Sequence, residues 1–246
     1  MKHLIVANWK LNPASQKEAE ALFDEVKKKG KSKNAEVVIC PPFIYLPALA
    51  RLSSQALRVG GQNMFWEEKG AFTGEVSGAQ LKDLKVEYVI IGHSERRKYF
   101  AETDEIVNKK IKKALDAKLK VILCVGENAG EDKVQVLEKQ ITQALRGLSK
   151  FEIQNSKLTI AYEPVWAIGT GNSCSVDQTM GSVLLIKKII SNLYNREAAD
   201  NLRVLYGGSV TSKNSADYVK NAGVNGLLVG GASLNAEEFV KIVLGI

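Results

Sequence analysis

Residues 4–13 read LIVANWKLNP, and the way the chain leaves this stretch separates two α/β architectures. Leu4, Ile5, Val6 and Ala7 form a continuous apolar run, the pattern of a parallel strand covered on both faces. An open, doubly wound sheet would follow its first strand with G-x-G-x-x-G. Here the residues after the run are Asn8-Trp9-Lys10-Leu11-Asn12-Pro13. Seven more apolar runs follow: EVVIC from 36, LRVGGQ from 57, YVIIG from 88, VILCVG from 121, LTIAY from 158, RVLYGG from 203 and GLLVGG from 226. Eight parallel strands can close into a barrel, which removes both sheet edges. The expected fold class is therefore α/β, a (β/α)8 barrel.

Between the runs the apolar period lengthens to that of helices. Ser15 and Glu18 have the spacing of a capping box, Ala19, Leu22, Phe23 and Val26 share a helical face, and Gly30 marks a stop. Thr103 precedes acidic Asp104-Glu105 and the stripe Val107, Ile111, Ala114, Leu115; Val183, Ile186, Ile190 and Leu193 form another; Asn235 caps a third, carrying Phe239, Ile242 and Val243. No change of composition marks a linker, so residues 1–246 are expected to be one domain, a length common for such barrels.

The chain has 45% hydrophobic and 25% charged residues, ordinary for a soluble globular protein. Its formal net charge is +7, with basic clusters KKKGKSK at 27–33 and NKKIKK at 108–113. These are read as solvated helix faces and cations near helix C-termini, with no nucleic-acid motif beside them. Cys40, Cys124 and Cys174 show neither metal spacing nor a disulfide framework. With no signal-like start and no run of about 18 apolar residues, a cytoplasmic location without membrane attachment is expected.

In a barrel of this kind the chemistry sits at the C-terminal ends of the strands. That filter returns Asn8 and Lys10 after the first run, His93 after the fourth, Glu163 after the sixth, and glycine pairs after the seventh and eighth. Lys10 is a mobile point charge suited to an anionic ligand or a developing oxyanion. His93 stands at the start of a short helix, whose positive end disfavours imidazolium and leaves a neutral ring with one donor. A carboxylate such as Glu163, just beyond an apolar strand, must be exposed, paired, or raised in pKa by desolvation. The third state would make it a base for a carbon-bound proton. YGGSV at 206–210 and VGGASL at 229–234 let backbone N–H groups approach an anion closely.

Taken together, ANWKLN, GAFTGE, IIGHSERR, CVGE, AYEPVWAIGTG, LYGGSV and LLVGGASL resemble the triosephosphate isomerase family, in that family's order and over essentially the whole chain. The resemblance implies an intramolecular aldose–ketose isomerase acting on triose phosphates through an enediolate-like intermediate, without a metal or organic cofactor. It implies Glu163 as proton shuttle, His93 as neutral electrophile, and Lys10 and Asn8 as stabilisers of the enediolate. Ser94 would be the resting partner of Glu163, and Glu95 would orient Lys10. Gly169, Ser209, Gly230 and Gly231 match phosphate-contacting positions, Gly208 lies in the same glycine turn, and Ile168 and Leu228 match an apolar clamp over the base.

Residues Pro164, Val165, Trp166, Ala167, Ile168, Gly169, Thr170 and Gly171 would form a lid. The loop at 62–77, with Met64, Phe65, Trp66 and Phe72, matches a dimer-forming loop whose Thr73 reaches the neighbouring subunit, so a homodimer is implied. Two departures stand out: Asn172-Ser173-Cys174 at the lid's second hinge, and Lys187 with Asn225, where the family pairs an arginine with an aspartate near the lid's base. The competing readings are a barrel enzyme for another sugar phosphate and a catalytically silent phosphate-binding barrel; the first should lack the set Lys10, His93 and Glu163, and the second should lack the base or the lid.

Overall fold

All eight runs form strands: β1 (His3–Asn8), β2 (Ala35–Cys40), β3 (Leu57–Gly61), β4 (Tyr88–Ile91), β5 (Lys120–Val125), β6 (Leu158–Tyr162), β7 (Arg203–Tyr206) and β8 (Gly226–Val229). In the computed structural model, which describes residues 2–153, 157–169 and 173–246, they pair in sequence order and close into a barrel. Every pairing is parallel, and β1 closes the circle by pairing with β8, Leu4 opposite Gly226 and Ala7 opposite Val229.

Alternation along each strand accounts for the unbroken apolar runs. Leu4, Val6, Val38, Ile90, Ile122, Ala161, Leu205 and Leu228 belong to one buried cluster, while Ile5, Ala7, Val37, Ile39, Val89, Leu123 and Ile160 join the helices in a second. With a core on both faces, no strand position is left for polar alternation. The strand starts are different. Glu36 meets Arg58, Arg203, Lys120 and the Tyr88 hydroxyl. Burial works against its charge, but Tyr88 and the three cations together hold its carboxyl below the usual range.

Strand register then aligns the site. Val125 lies opposite Tyr162, and Tyr162 opposite Tyr206. Gly126, Glu163 and Gly207 therefore leave the barrel side by side.

Ser15 caps its helix, accepting from Glu18 N–H, and Gly30 ends it, both as read from the sequence. Several local expectations are modified. Lys110 is buried rather than solvated, because Glu102 and Asn63 accept from its ammonium at 2.6 and 2.8 Å. Asn225 is not near the lid's base. It precedes β8, at the opposite end of the barrel from the strand C-termini, where its Oδ1 accepts from Val204 N–H at 2.9 Å. Lys187 lies mid-way along the helix Val176–Leu193. Among the described residues no helix is long and apolar enough to cross a membrane.

Candidate active site

The strand C-termini surround a cleft of about 250 Å3 whose wall includes Asn8, Lys10, His93, Glu163, Ile168, Gly169, Ser209, Leu228, Gly230 and Gly231. Gly208 is also on the wall. Ser94 and Glu95 stand behind it, joined to the wall by hydrogen bonds and ion pairs. Pro164, Val165, Trp166 and Ala167 connect β6 to the wall without lining it. Thr170 and Gly171, together with Asn172 of the second hinge, lie outside the described residues.

Glu163 is 2% exposed. Its backbone N–H donates to Val125 O at 2.7 Å, continuing the ladder one residue beyond β6. The facing Gly126 permits this approach, since a Cβ there would lie 1.6 Å from Glu163 O. One carboxylate oxygen is 3.0 Å from His93 Nε2, and the other accepts from Ser94 N–H at 3.1 Å. Burial alone would raise its pKa. His93, Ser94 and, more distantly, Lys10 outweigh burial and hold it below the ordinary carboxylate range. Of the three states open to this carboxylate it takes the paired one, and its pKa is lowered and not raised.

His93 caps the seven-residue helix Ser94–Phe100, its Nδ1 accepting from Glu95 N–H at 3.3 Å. A nitrogen that accepts carries no proton, so the neutral tautomer places its hydrogen on Nε2, directed at Glu163. Burial opposes a charged ring, while the adjacent Glu163 favours one and sets the net direction upward. The backbone contact at Nδ1 limits that tendency, since an imidazolium would have to turn a second donor towards Glu95 N–H. The helix is short, so this local contact, more than a helix dipole, favours the neutral form.

Lys10 adopts φ 54°, a backbone region that costs a non-glycine residue about 1–3 kcal/mol. Three contacts hold it there. Its N–H donates to Asn8 Oδ1 at 3.1 Å, its carbonyl accepts from Gln62 Nε2 at 2.9 Å, and its ammonium is 2.5 Å from Glu95 Oε1. Asn8 therefore shapes the turn as well as lining the cleft. Gln62 was not singled out from sequence, although it stands one residue beyond β3; the strand-end filter would have found it had it been carried to every strand.

The segment after Glu163 folds into a 3-10 turn at Val165–Ala167. Glu127, just beyond β5, organises it: its carbonyl accepts from Val165 N–H at 3.0 Å, and its Oε1 accepts from Trp166 Nε1 at 3.1 Å and from the Tyr162 hydroxyl at 2.9 Å. This places Ile168 and Gly169 on the cleft wall. Opposite them, Asn214 Nδ2 donates to Ser209 O at 3.1 Å and Ser233 Oγ donates to Gly230 O at 2.7 Å. One carbonyl in each turn is thereby engaged by the protein. The cleft thus brings together a cation, Lys10, a buried carboxylate, Glu163, and the neutral donors His93 and Asn8.

Thr73 is exposed and is not brought to this cleft. In its loop Met64 is buried, Phe65 packs against Trp66 and Phe72 with centroids 4.0 and 4.7 Å apart, and Phe72 is 44% exposed. The loop's apolar groups thus partly cover one another. Leu11 and Ile44, which the sequence reading passed over, are 92% and 77% exposed.

A family model described as triosephosphate isomerase matches residues 3–246. Curated proteins named triosephosphate isomerase are similar over nearly the whole chain. Those from Alkaliphilus oremlandii, Caldanaerobacter subterraneus and Dictyoglomus thermophilum are 44%, 45% and 45% identical, each alignment covering 98% of both chains.

The clamp on Lys10 yields one expectation. Replacing Gln62 by alanine frees the Lys10 carbonyl, and with it the strained turn. We expect Gln62→Ala to lower kcat/KM about tenfold with an unchanged far-ultraviolet circular dichroism spectrum; an unaltered kcat/KM would remove Gln62 from the site.

Proposed function

This chain belongs to the triosephosphate isomerase family, and on that premise we infer that it interconverts dihydroxyacetone phosphate and D-glyceraldehyde 3-phosphate, in glycolysis and gluconeogenesis. The observation that carries the mechanism is the buried Glu163 carboxylate, 3.0 Å from His93 Nε2, in a cleft that also contains Lys10.

In this reading the phosphate sits against Gly169, Ser209, Gly230 and Gly231, and the Lys10 ammonium adds a favourable field. The substrate's carbonyl oxygen lies towards His93 Nε2 and Lys10. Its arrival displaces the contacts of Glu163 with His93 and Ser94, which are what hold the carboxyl's pKa down. Desolvation then acts without them, and Glu163 becomes a stronger base. It takes a proton from one carbon and returns it to the neighbouring one. The negative charge that gathers on the oxygens of the enediolate-like intermediate is met by the neutral His93 donor, Lys10 and Asn8. No step in this reading calls on a metal or an organic cofactor.

The enediolate has a second fate. Its electron pair can move in to form a C=C bond while the C–O bond to phosphate breaks, releasing inorganic phosphate and an enol that tautomerises to methylglyoxal. Excluding water and fixing the phosphate suppress that loss. We assign this task to the lid that begins at Pro164, with Ile168 and Leu228 as its apolar clamp. The Lys10, His93 and Glu163 set speaks against an enzyme for another sugar phosphate and against a silent barrel.

We further propose that the barrel is one domain, that it works in the cytoplasm, and that it pairs as a homodimer through the loop at 62–77. Phe72, Leu11 and Ile44 support the pairing, since they are large and apolar yet exposed in one chain. Thr73 would then reach the neighbouring site.

An assay converting glyceraldehyde 3-phosphate to dihydroxyacetone phosphate tests the mechanism. Glu163→Gln should lower kcat about a thousandfold, and a rate equal to the parent's would refute the role of Glu163. Sedimentation at micromolar concentration should give twice the monomer mass; a persistent monomer would refute the pairing.

A further inference from the structure

Cys174 is fully buried and stands five residues beyond Gly169 and just before Ser175, the N-cap of the helix Val176–Leu193. Both polar atoms of its backbone are held by phenols. Its N–H donates to the Tyr206 hydroxyl at 3.1 Å, and its carbonyl accepts a short hydrogen bond from the Tyr218 hydroxyl. The two rings are stacked with centroids 4.0 Å apart, and both are buried.

The proton count closes this arrangement into a ring. Each phenol has a single proton to donate. That of Tyr218 is committed to the Cys174 carbonyl, so the 3.4 Å separation of the two hydroxyl oxygens is left for the Tyr206 proton. The path then runs from Cys174 N–H to Tyr206, from Tyr206 to Tyr218, and from Tyr218 back to the same residue's carbonyl. Such a chain polarises each of its members. Every link orders the next, and removing one hydroxyl opens the ring.

Tyr206 also touches the cleft wall from below. It ends β7, and a Cβ on Gly208 would lie 2.3 Å from its hydroxyl oxygen, so the ring lies directly beneath the turn that carries Gly208 and Ser209. Cys174 and the proposed phosphate turn therefore both rest on Tyr206, against which Tyr218 is stacked. Below Cys174, Ser175 and Gln178 form a capping box, which fixes the start of the helix independently of the tyrosines.

We propose that Tyr218 is a positioning residue for the isomerisation, its hydroxyl holding the Cys174 carbonyl so that Cys174 stays in register with Tyr206 and, through it, with the Gly207–Ser209 turn. This rests on the isomerase reading above. Tyr218 touches no reacting atom; it acts through Cys174 and Tyr206. Its loss loosens the grip on the phosphate end of the enediolate and favours phosphate elimination over reprotonation.

The test uses the full chain with glyceraldehyde 3-phosphate as substrate. It reads three quantities: KM, the ratio of inorganic phosphate released to substrate isomerised, and melting temperature. Tyr218→Phe keeps the stacked ring and removes only the hydroxyl. It should raise both KM and the release ratio about fivefold, the scale of one hydrogen bond. Tyr218→Leu, a second way of removing the hydroxyl, should move the ratio in the same direction, whereas 3-fluorotyrosine at position 218 keeps the donor and should retain the parent ratio. A parent that does not isomerise overturns the functional reading and this assignment with it. A parent that isomerises, beside a folded Tyr218→Phe with unchanged KM and release ratio, overturns the assignment alone, even if the variant melts earlier.

Discussion

A carboxylate that is almost fully buried cannot keep its charge without partners, and the upper end of this barrel is arranged to supply them to Glu163. The backbone of β5 takes its N–H, the ring of His93 and the N–H of Ser94 take its oxygens, and Gly126 leaves room for its peptide. The same pairing makes the carboxylate a weak base at rest. Its basicity is stored as desolvation, opposed by contacts that a substrate can replace. His93 is bound into this arrangement, since its own neutral form depends on the backbone donor of the next turn.

Much of this was legible in the sequence, for identifiable reasons. Strands buried on both faces leave unbroken apolar runs, so all eight were readable without any repeated motif. Closed barrels put chemistry at strand ends, so position alone selected Lys10, His93 and Glu163. The rest was set by contacts between distant segments. The φ of Lys10, the Gln62 clamp on its carbonyl and the Glu127 contacts to Trp166 and Tyr162 join residues 35 to 52 positions apart. The direction of the Glu163 pKa depended on which neighbours reached it, which burial by itself could not tell. Asn225 was assigned to the wrong end although the run GLLVGG from 226 already placed it at the start of a strand, at the opposite end of the barrel from the site.

The segment between β6 and the following helix is held differently at its two ends. Upstream, a glutamate beyond a neighbouring strand takes the tryptophan indole and a backbone N–H. Downstream, two stacked tyrosines hold the backbone N–H and C=O of a single residue, Cys174. The tyrosines grip only backbone atoms of residue 174, while its buried thiol points to Gln178 Oε1 at 3.6 Å.

The exchange of partners at Glu163 is open to direct observation. Isotope-edited infrared difference spectra, taken at neutral pH as 2-phosphoglycolate is added to protein labelled with 13C-glutamate, would report the state of the carboxyl as an anionic mimic of the enediolate fills the cleft. The account predicts that a protonated carboxyl band appears in the parent and is absent from Glu163→Gln, because displacement of His93 and Ser94 leaves desolvation and the ligand's charge to raise the pKa. A carboxylate that stays ionised as the ligand binds would contradict it.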